Sequence, residues 1–300
     1  MQEMTASTRR DVADIVNLGD AEAVMAEVYS ILARCWPAAD WQPLDPLGAL
    51  FRQLYEGRHP DYRGCEVGYH NAEHVLDVTL AMARLLAGRE LRWGPAWSLG
   101  PDLALAGIAC ALLHDSGYLR RRADNRHGTG GAYTRTHVAR GAALIAAQLP
   151  AAGLESLAPL CTRLIHFTNC TRSPATVRVA SDAERQLGGL LGTADLLAQL
   201  AAPDYLEKCR QELYDEFEAS GFAGKDGCAY THDLVYLSRD DLMRRTPDFI
   251  HRVAGPRIEH DFAGAYHYAS VWFGGRNHYL DGIAANSERL DAMLSRARSA

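Results

Sequence analysis

The sequence predicts an all-α, multi-helix bundle on three observations. Apolar residues recur with helical period through most of the chain, β-branched alternation over strand lengths is nearly absent, and the run "LALAGIACALLHDSGY" is apolar on almost every side. A helix of that last kind belongs in the centre of a core. With 300 residues and 48% hydrophobic content, the chain can bury such a core as a single domain without help from metal or disulfides.

The elements follow in order. "AEAVMAEVYSILARCW" places Val24, Val28, Ile31 and Leu32 on one stripe, and "DPLGALFRQLYEG" is a second amphipathic helix ended by Gly57. "GYHNAEHVLDVTLAMARLL" is a third helix, anchored by Val75, Val78, Met82, Leu85 and Leu86. The breaker "LRWGPAWSLGPD" separates it from the central apolar helix, which Gly117 is expected to end in a left-handed conformation.

"LRRRADNRHGTGGAYTRT" reads as a mobile polar loop near the site, leading into "THVARGAALIAAQL" with Thr134 or Thr136 as its cap. "LESLAPLCTRLIHFTNC" follows, then the loop "TRSPATVRVASDAER" and the helix "LGGLLGTADLLAQLA". From "PDYLEKCRQELYDEFEA" through the glycine break "SGFAGKDGC" to the end, three or four further helices are expected. Residues 1–300 should form one domain, with a helical core over 20–218 and a C-terminal helical region over 228–300 that covers a pocket.

Charge and cysteine content narrow the function classes. A net charge of −6 without a long Lys/Arg run argues against a protein built to hold nucleic acid. Cys35, Cys65, Cys110, Cys161, Cys170, Cys209 and Cys228 are scattered with no CxxC pair, which reads as reduced thiols of a cytoplasmic protein. The segment "MQEMTASTRRDVADIV" lacks an apolar core of signal-peptide length, and no run is long enough to cross a bilayer. Neither a monomer nor a homodimer is excluded.

The chemistry concentrates at the start of the third helix. His70 and His74 stand one turn apart on one face, with Asp77 three residues beyond, so the three side chains can converge. His114 and Asp115 arrive together at the end of the central helix, and Asp195 interrupts the apolar run "LLGTADLLAQL". A buried carboxylate without a cation is costly, and one divalent ion, such as Zn, Mn, Fe or Mg, would answer all of these residues at once.

These residues resemble a family. "YHNAEHVLDV" is similar to the YHNxxHxxDV motif of class I cyclic nucleotide phosphodiesterases, and with the HD pair and the later Asp it resembles the HD-domain metal-dependent phosphohydrolase superfamily, over about His70 to Asp195. The resemblance implies a phosphodiesterase-like bundle in which His74, His114, Asp115 and Asp195 hold one divalent ion, and Asp115 bridges to a second. It implies that His70 is the general acid while metal-activated hydroxide attacks the phosphate ester of a small nucleotide or related metabolite.

In the same reading Asn71 and Asp77 fix the imidazoles, while His137, His166 and Thr168 stand near the second metal or its waters. Tyr118, Arg276 and Asn277 are candidates for substrate binding, as are the loop arginines Arg120, Arg121, Arg122 and Arg126. Tyr266, Tyr268, Trp272 and Phe273 could stack a base or simply fill core.

The chain departs from the phosphodiesterase pattern in three places. Tyr118 stands where a second histidine is expected, Asn169 replaces the Asp of an ATD segment, and no glutamine follows Gln211 to read a purine. Other readings are a phosphomonoesterase or nucleotidase, a pyrophosphohydrolase, a di-iron oxygenase on the same scaffold, and a degenerate nucleotide-binding regulator.

Overall fold

The computed structural model describes residues 9–224 and 235–299. Cys228, and with it part of the glycine break, lies outside the described residues. The chain is all-α. Among the described residues the extended pairings are isolated bridges, Arg10 with Asn17, Tyr62 with Arg121 and Ala223 with Tyr236, and no sheet forms.

The helices are α1 (Ala21–Cys35), α2 (Leu44–Tyr55), α3 (Ala72–Trp93), α4 (Pro101–Leu113), α5 (His137–Ala151), α6 (Ala158–Leu164) and α7 (Asp182–Ala201). They continue with α8 (Tyr205–Lys208) and α9 (Tyr214–Ala219), joined through the π turn Cys209–Leu213. Then come α10 (Arg239–Phe249), α11 (His267–Trp272) and α12 (His278–Ser299).

The third helix of the sequence is the hub. α3 is buried from His74 to Arg89 and packs against α1, α4, α7 and α11. α4 is buried from Ala106 to Leu113, as its all-round apolar sequence requires. One core cluster reaches from Val16 to Leu290, and a small second one joins Tyr214, Ala223 and Leu242.

Local chemistry sets the ends. Asp20 caps α1 by accepting from the Glu22 and Ala23 amides, and Gly57, at φ 74°, lies just beyond α2. Ser181 accepts from the Glu184 amide, so α7 starts at Asp182, inside the segment read as loop.

Two expected ends are corrected. Gly117 is not left-handed: α4 stops at Leu113, and a 3-10 turn, Ser116–Tyr118, follows. Its glycine is required because a Cβ there would meet the His137 carbonyl oxygen at 1.8 Å, where α5 begins. Thr136 holds the N-cap position of α5, as expected, but neither threonine hydroxyl accepts from a helix amide. Thr134 and Thr136 donate backwards, to the Gly131 and Tyr133 carbonyls.

The loop arginines serve the fold. Arg120 pairs with Glu66, and Arg122 donates to the His59 and Gly57 carbonyls. The described cysteines are free thiols, and none of the described helices is long and apolar enough to cross a membrane.

Candidate metal centre

The first turn of α3, the end of α4 and the middle of α7 meet at one point. His74 Nε2 lies 3.5 Å from Asp115 Oδ2 and 3.4 Å from Asp195 Oδ1. His114 Nε2 lies 3.1 Å from Asp115 Oδ2 and 3.8 Å from Asp195 Oδ1. These four residues are buried. The ligand atoms of His74, His114 and Asp115 fall within 4.8 Å of one another.

Three of these atoms are orphans. His74 Nε2, His114 Nε2 and Asp115 Oδ2 are buried and make no hydrogen bond, an arrangement that costs free energy unless another atom satisfies them. His114 Nδ1 donates to the Ala111 carbonyl at 2.9 Å, which leaves the Nε2 lone pair aimed at the cluster. Two imidazole nitrogens and a carboxylate oxygen, with a second carboxylate beside them, suit a divalent cation, so the donor set fits one.

A second layer of rings leads from this point to the surface. His137 Nδ1 donates to the Thr134 carbonyl at 2.7 Å, and its Nε2 stands 3.8 Å from Asp115 Oδ1, the carboxylate's other face. Tyr118 stacks on His70 at 4.5 Å and on His137 at 4.6 Å between ring centroids. His70 Nδ1 donates to Glu216 Oε2 at 2.5 Å, and Glu216 Oε1 accepts from the Tyr69 and His70 amides.

The electrostatics follow from this crowding. Burial opposes charge on His70, yet the Glu216 and Asp115 carboxylates push its pKa up to about 9. Burial likewise opposes charge on His114, and Asp115 beside it pushes its pKa up to about 9. Burial would raise Asp115, but the His114 and His70 rings hold it well below the carboxylate range. Burial keeps His137 below its ordinary value.

The structure thus brings together His70, His74, His114, Asp115, Asp195, Tyr118 and His137. Others go elsewhere. Asn71 accepts from the His74 amide at 3.0 Å, so it caps α3 and holds backbone instead of a ring. Asp77 pairs through Oδ2 with Arg9 at 2.7 Å, and its Oδ1 makes no hydrogen bond to an imidazole. His166 and Thr168 line the cavity; the Thr168 hydroxyl donates to the Ile165 carbonyl, and no carboxylate of a described residue lies within ion-pair distance of His166.

Two substrate-binding candidates are corrected. Arg276 is exposed and pairs with Asp281, while Asn277 donates to the Tyr266 carbonyl and accepts from the Tyr279 and Leu280 amides at the start of α12. Neither lines the cavity beside the metal cluster, and nor do Arg120, Arg121, Arg122 or Arg126. Tyr266, Tyr268, Trp272 and Phe273 pack against the core.

Residues with no role in the sequence reading take those places. Glu216, 3% exposed, supports His70. Its signal is weak, because "YDEFEA" offers three acidic residues and nothing marks which one is buried. Arg135 and Arg172 are the arginines on the cavity wall.

A family model described as Npun_R2479-like matches residues 61–277, a span that holds every residue of the cluster and Glu216. No curated protein matches the sequence.

Proposed function

The chain belongs to the Npun_R2479-like family, and we propose that it is a divalent-metal-dependent phosphoester hydrolase of the HD type, phosphodiesterase-like in its proton donor. The single observation that carries this reading is the trio of orphaned buried atoms, His74 Nε2, His114 Nε2 and Asp115 Oδ2, converging beside Asp195 next to a cavity that Asp115 and Asp195 line. His74, His114, Asp115 and Asp195 would hold the first ion, and the outer face of Asp115 with His137 would favour a second.

The ions, when bound, supply charge neutralisation on phosphate oxygens and activation of water. The chain's residues do the rest. His70, on the cavity wall and bonded through Nδ1 to Glu216, presents its other nitrogen to a leaving oxygen and can donate a proton there. Tyr118 holds the His70 and His137 rings by stacking on both. Arg135 and Arg172, on the cavity wall, offer charge to the phosphate. The net reaction adds water across a P–O bond and releases an alcohol and a phosphate with one ester fewer.

The test is elemental analysis of the purified protein, followed by turnover of bis(p-nitrophenyl) phosphate and p-nitrophenyl phosphate with Mn, Mg, Zn or Fe supplied. Bound metal with diester cleavage is the expected result. Cleavage of the monoester alone would move the assignment to a phosphomonoesterase, and iron without hydrolysis would move it to an oxygenase. Protein that takes up none of these metals would overturn it.

A further inference from the structure

The cavity beside the metal cluster has two kinds of wall. It encloses about 830 Å³, near the top of the usual range for a pocket that takes a whole small molecule. The floor is His70, Asp115, His137 and Asp195. The wall from the 205–219 helical segment, Phe222 and α10 with the π turn that follows is largely apolar, with Leu213, Phe217, Leu242, Phe249 and Val253 around the Thr246 hydroxyl, while His166 and residues 168–172 add a polar side.

Aromatic rings are gathered there. Phe217 and Tyr236 stack with centroids 5.4 Å apart and planes 3° apart, and Phe222 meets Phe217 edge-on at 5.7 Å. All three remain only half-buried. Arg135 lies over Phe222 at 3.8 Å, on the border between the two walls.

A nucleobase edge is commonly gripped by a side-chain amide, and the two amides among the described lining residues are already engaged through their oxygens. The amide side chains among its described lining residues are Gln199 and Asn169. Gln199 Oε1 accepts from the Tyr69 hydroxyl, and Asn169 Oδ1 accepts from the Thr171 amide and hydroxyl. The Asn169 oxygen thus has both lone pairs engaged, and the Gln199 oxygen keeps only one.

We infer that the substrate is an amphipathic phosphoester, whose phosphate sits at the metal cluster and whose bulky apolar body, an alkyl chain or fused hydrocarbon rings, fills the Phe217–Phe249–Val253 wall. This rests on the hydrolase reading for its chemistry, and on the cavity alone for its specificity.

The test uses the metal-supplemented full chain and three esters with one leaving group: methyl, octyl and thymidine 5′-p-nitrophenyl phosphate. Water displaces p-nitrophenolate in each, leaving the alkyl or nucleoside monophosphate. If each buried methylene contributes its transfer free energy, kcat/KM rises by up to about fourfold per carbon, and by at least about a hundredfold from methyl to octyl. Val253→Asp and Phe249→Ser should each cut the octyl-to-methyl ratio at least about tenfold.

In parallel, calorimetry compares binding of octylphosphonate and methylphosphonate, which needs no turnover. Octyl preference in both assays supports the inference. Hydrolysis without chain-length dependence, or fastest on the thymidine ester, overturns it and leaves the hydrolase reading standing. Chain-length-dependent phosphonate binding with no hydrolysis of any ester supports the inference and sinks the hydrolase reading. Equal binding of the two phosphonates overturns it whatever the kinetics.

Discussion

α3 buries polar groups at two places, and the two differ in what gathers around them. Toward its middle, Arg84 is 1% exposed, its Nη2 donates to Asp11 at 2.5 Å and its Nη1 to the Tyr279 hydroxyl at 3.2 Å. Asp11 also accepts from the Ala13, Ile15 and Val16 amides, and Asp77 pairs with Arg9. In the first turn, His74 faces two carboxylates and makes no hydrogen bond through Nε2. Both places keep a buried atom without a hydrogen bond, Arg84 Nε and Asp77 Oδ1 in the first and His74 Nε2 in the second, so an orphaned atom alone does not mark a site; what marks it is that ligand atoms from α3 and the end of α4 converge on one point.

The sharpest break of this comparison is Asp115→Ala. Removing the carboxylate that faces His74, His114 and His137 should abolish metal content and lower activity by at least about 10⁴-fold, about 5 kcal/mol in the barrier. The variant's melting temperature should also stop responding to added divalent cation. Full metal content in Asp115→Ala would mean that the orphaned atoms are not ligands.

The converse variant is Arg84→Met. It strands Asp11 without its countercharge and should cost about 3–5 kcal/mol in denaturant unfolding, with the metal stoichiometry of the folded protein unchanged. Acid should reveal the same pair. Burial would raise the Asp11 pKa, but Arg84 and the Val16 amide hold it below 3.8. Its contribution is therefore fully present above the unfolded value and lost as pH falls through the lower, folded one. Asp11→Asn should be less stable than wild type at pH 7, with the gap narrowing only below about pH 4. A gap constant down to pH 3 would remove the carboxylate from the account.

Why one half of α3 was legible in sequence and the other was not follows from the same contrast. His74, His114, Asp115 and Asp195 stand out because polar residues interrupt apolar helices at spacings that share a face, a pattern packing does not explain. Arg84 and Asp11 are 73 residues apart in sequence, and no local pattern joins them. Glu216 is hidden for the same reason, since its partner His70 lies 146 residues away. Asn277 carries the opposite error: its amide offers the chemistry of the missing purine-reading glutamine on a shorter arm, yet its position at the start of α12 makes it a backbone cap. Gly117 misled because a glycine after a helix suggests a left-handed end, and the close approach of α5 is a tertiary fact.

Glu216→Gln sharpens the comparison from the missed side. The isosteric amide has one accepting oxygen where the carboxylate has two, so with that oxygen on the Tyr69 and His70 amides its NH2 faces His70 Nδ1, and both the charge and the bond that favour the protonated ring are lost. Cleavage of esters with poor leaving groups should fall about 10- to 100-fold, cleavage of activated aryl esters much less, and metal content should hold. Equal losses on both ester types would make Glu216 a packing residue only.

The smallest effect separates motif from role at Asn71. Its place between the two histidines puts it inside the metal motif, but its side chain meets the backbone of the helix and no ring. Asn71→Ala should therefore cost about 1 kcal/mol of stability, the ordinary value of a lost helix cap, and leave metal content intact. Asn71→Asp, which can accept the same amide and adds a favourable negative charge at a helix N-terminus, should recover most of it. If Asn71→Ala instead lost metal with its stability unchanged, the part of α3 that holds the site would extend by one residue, to include its cap.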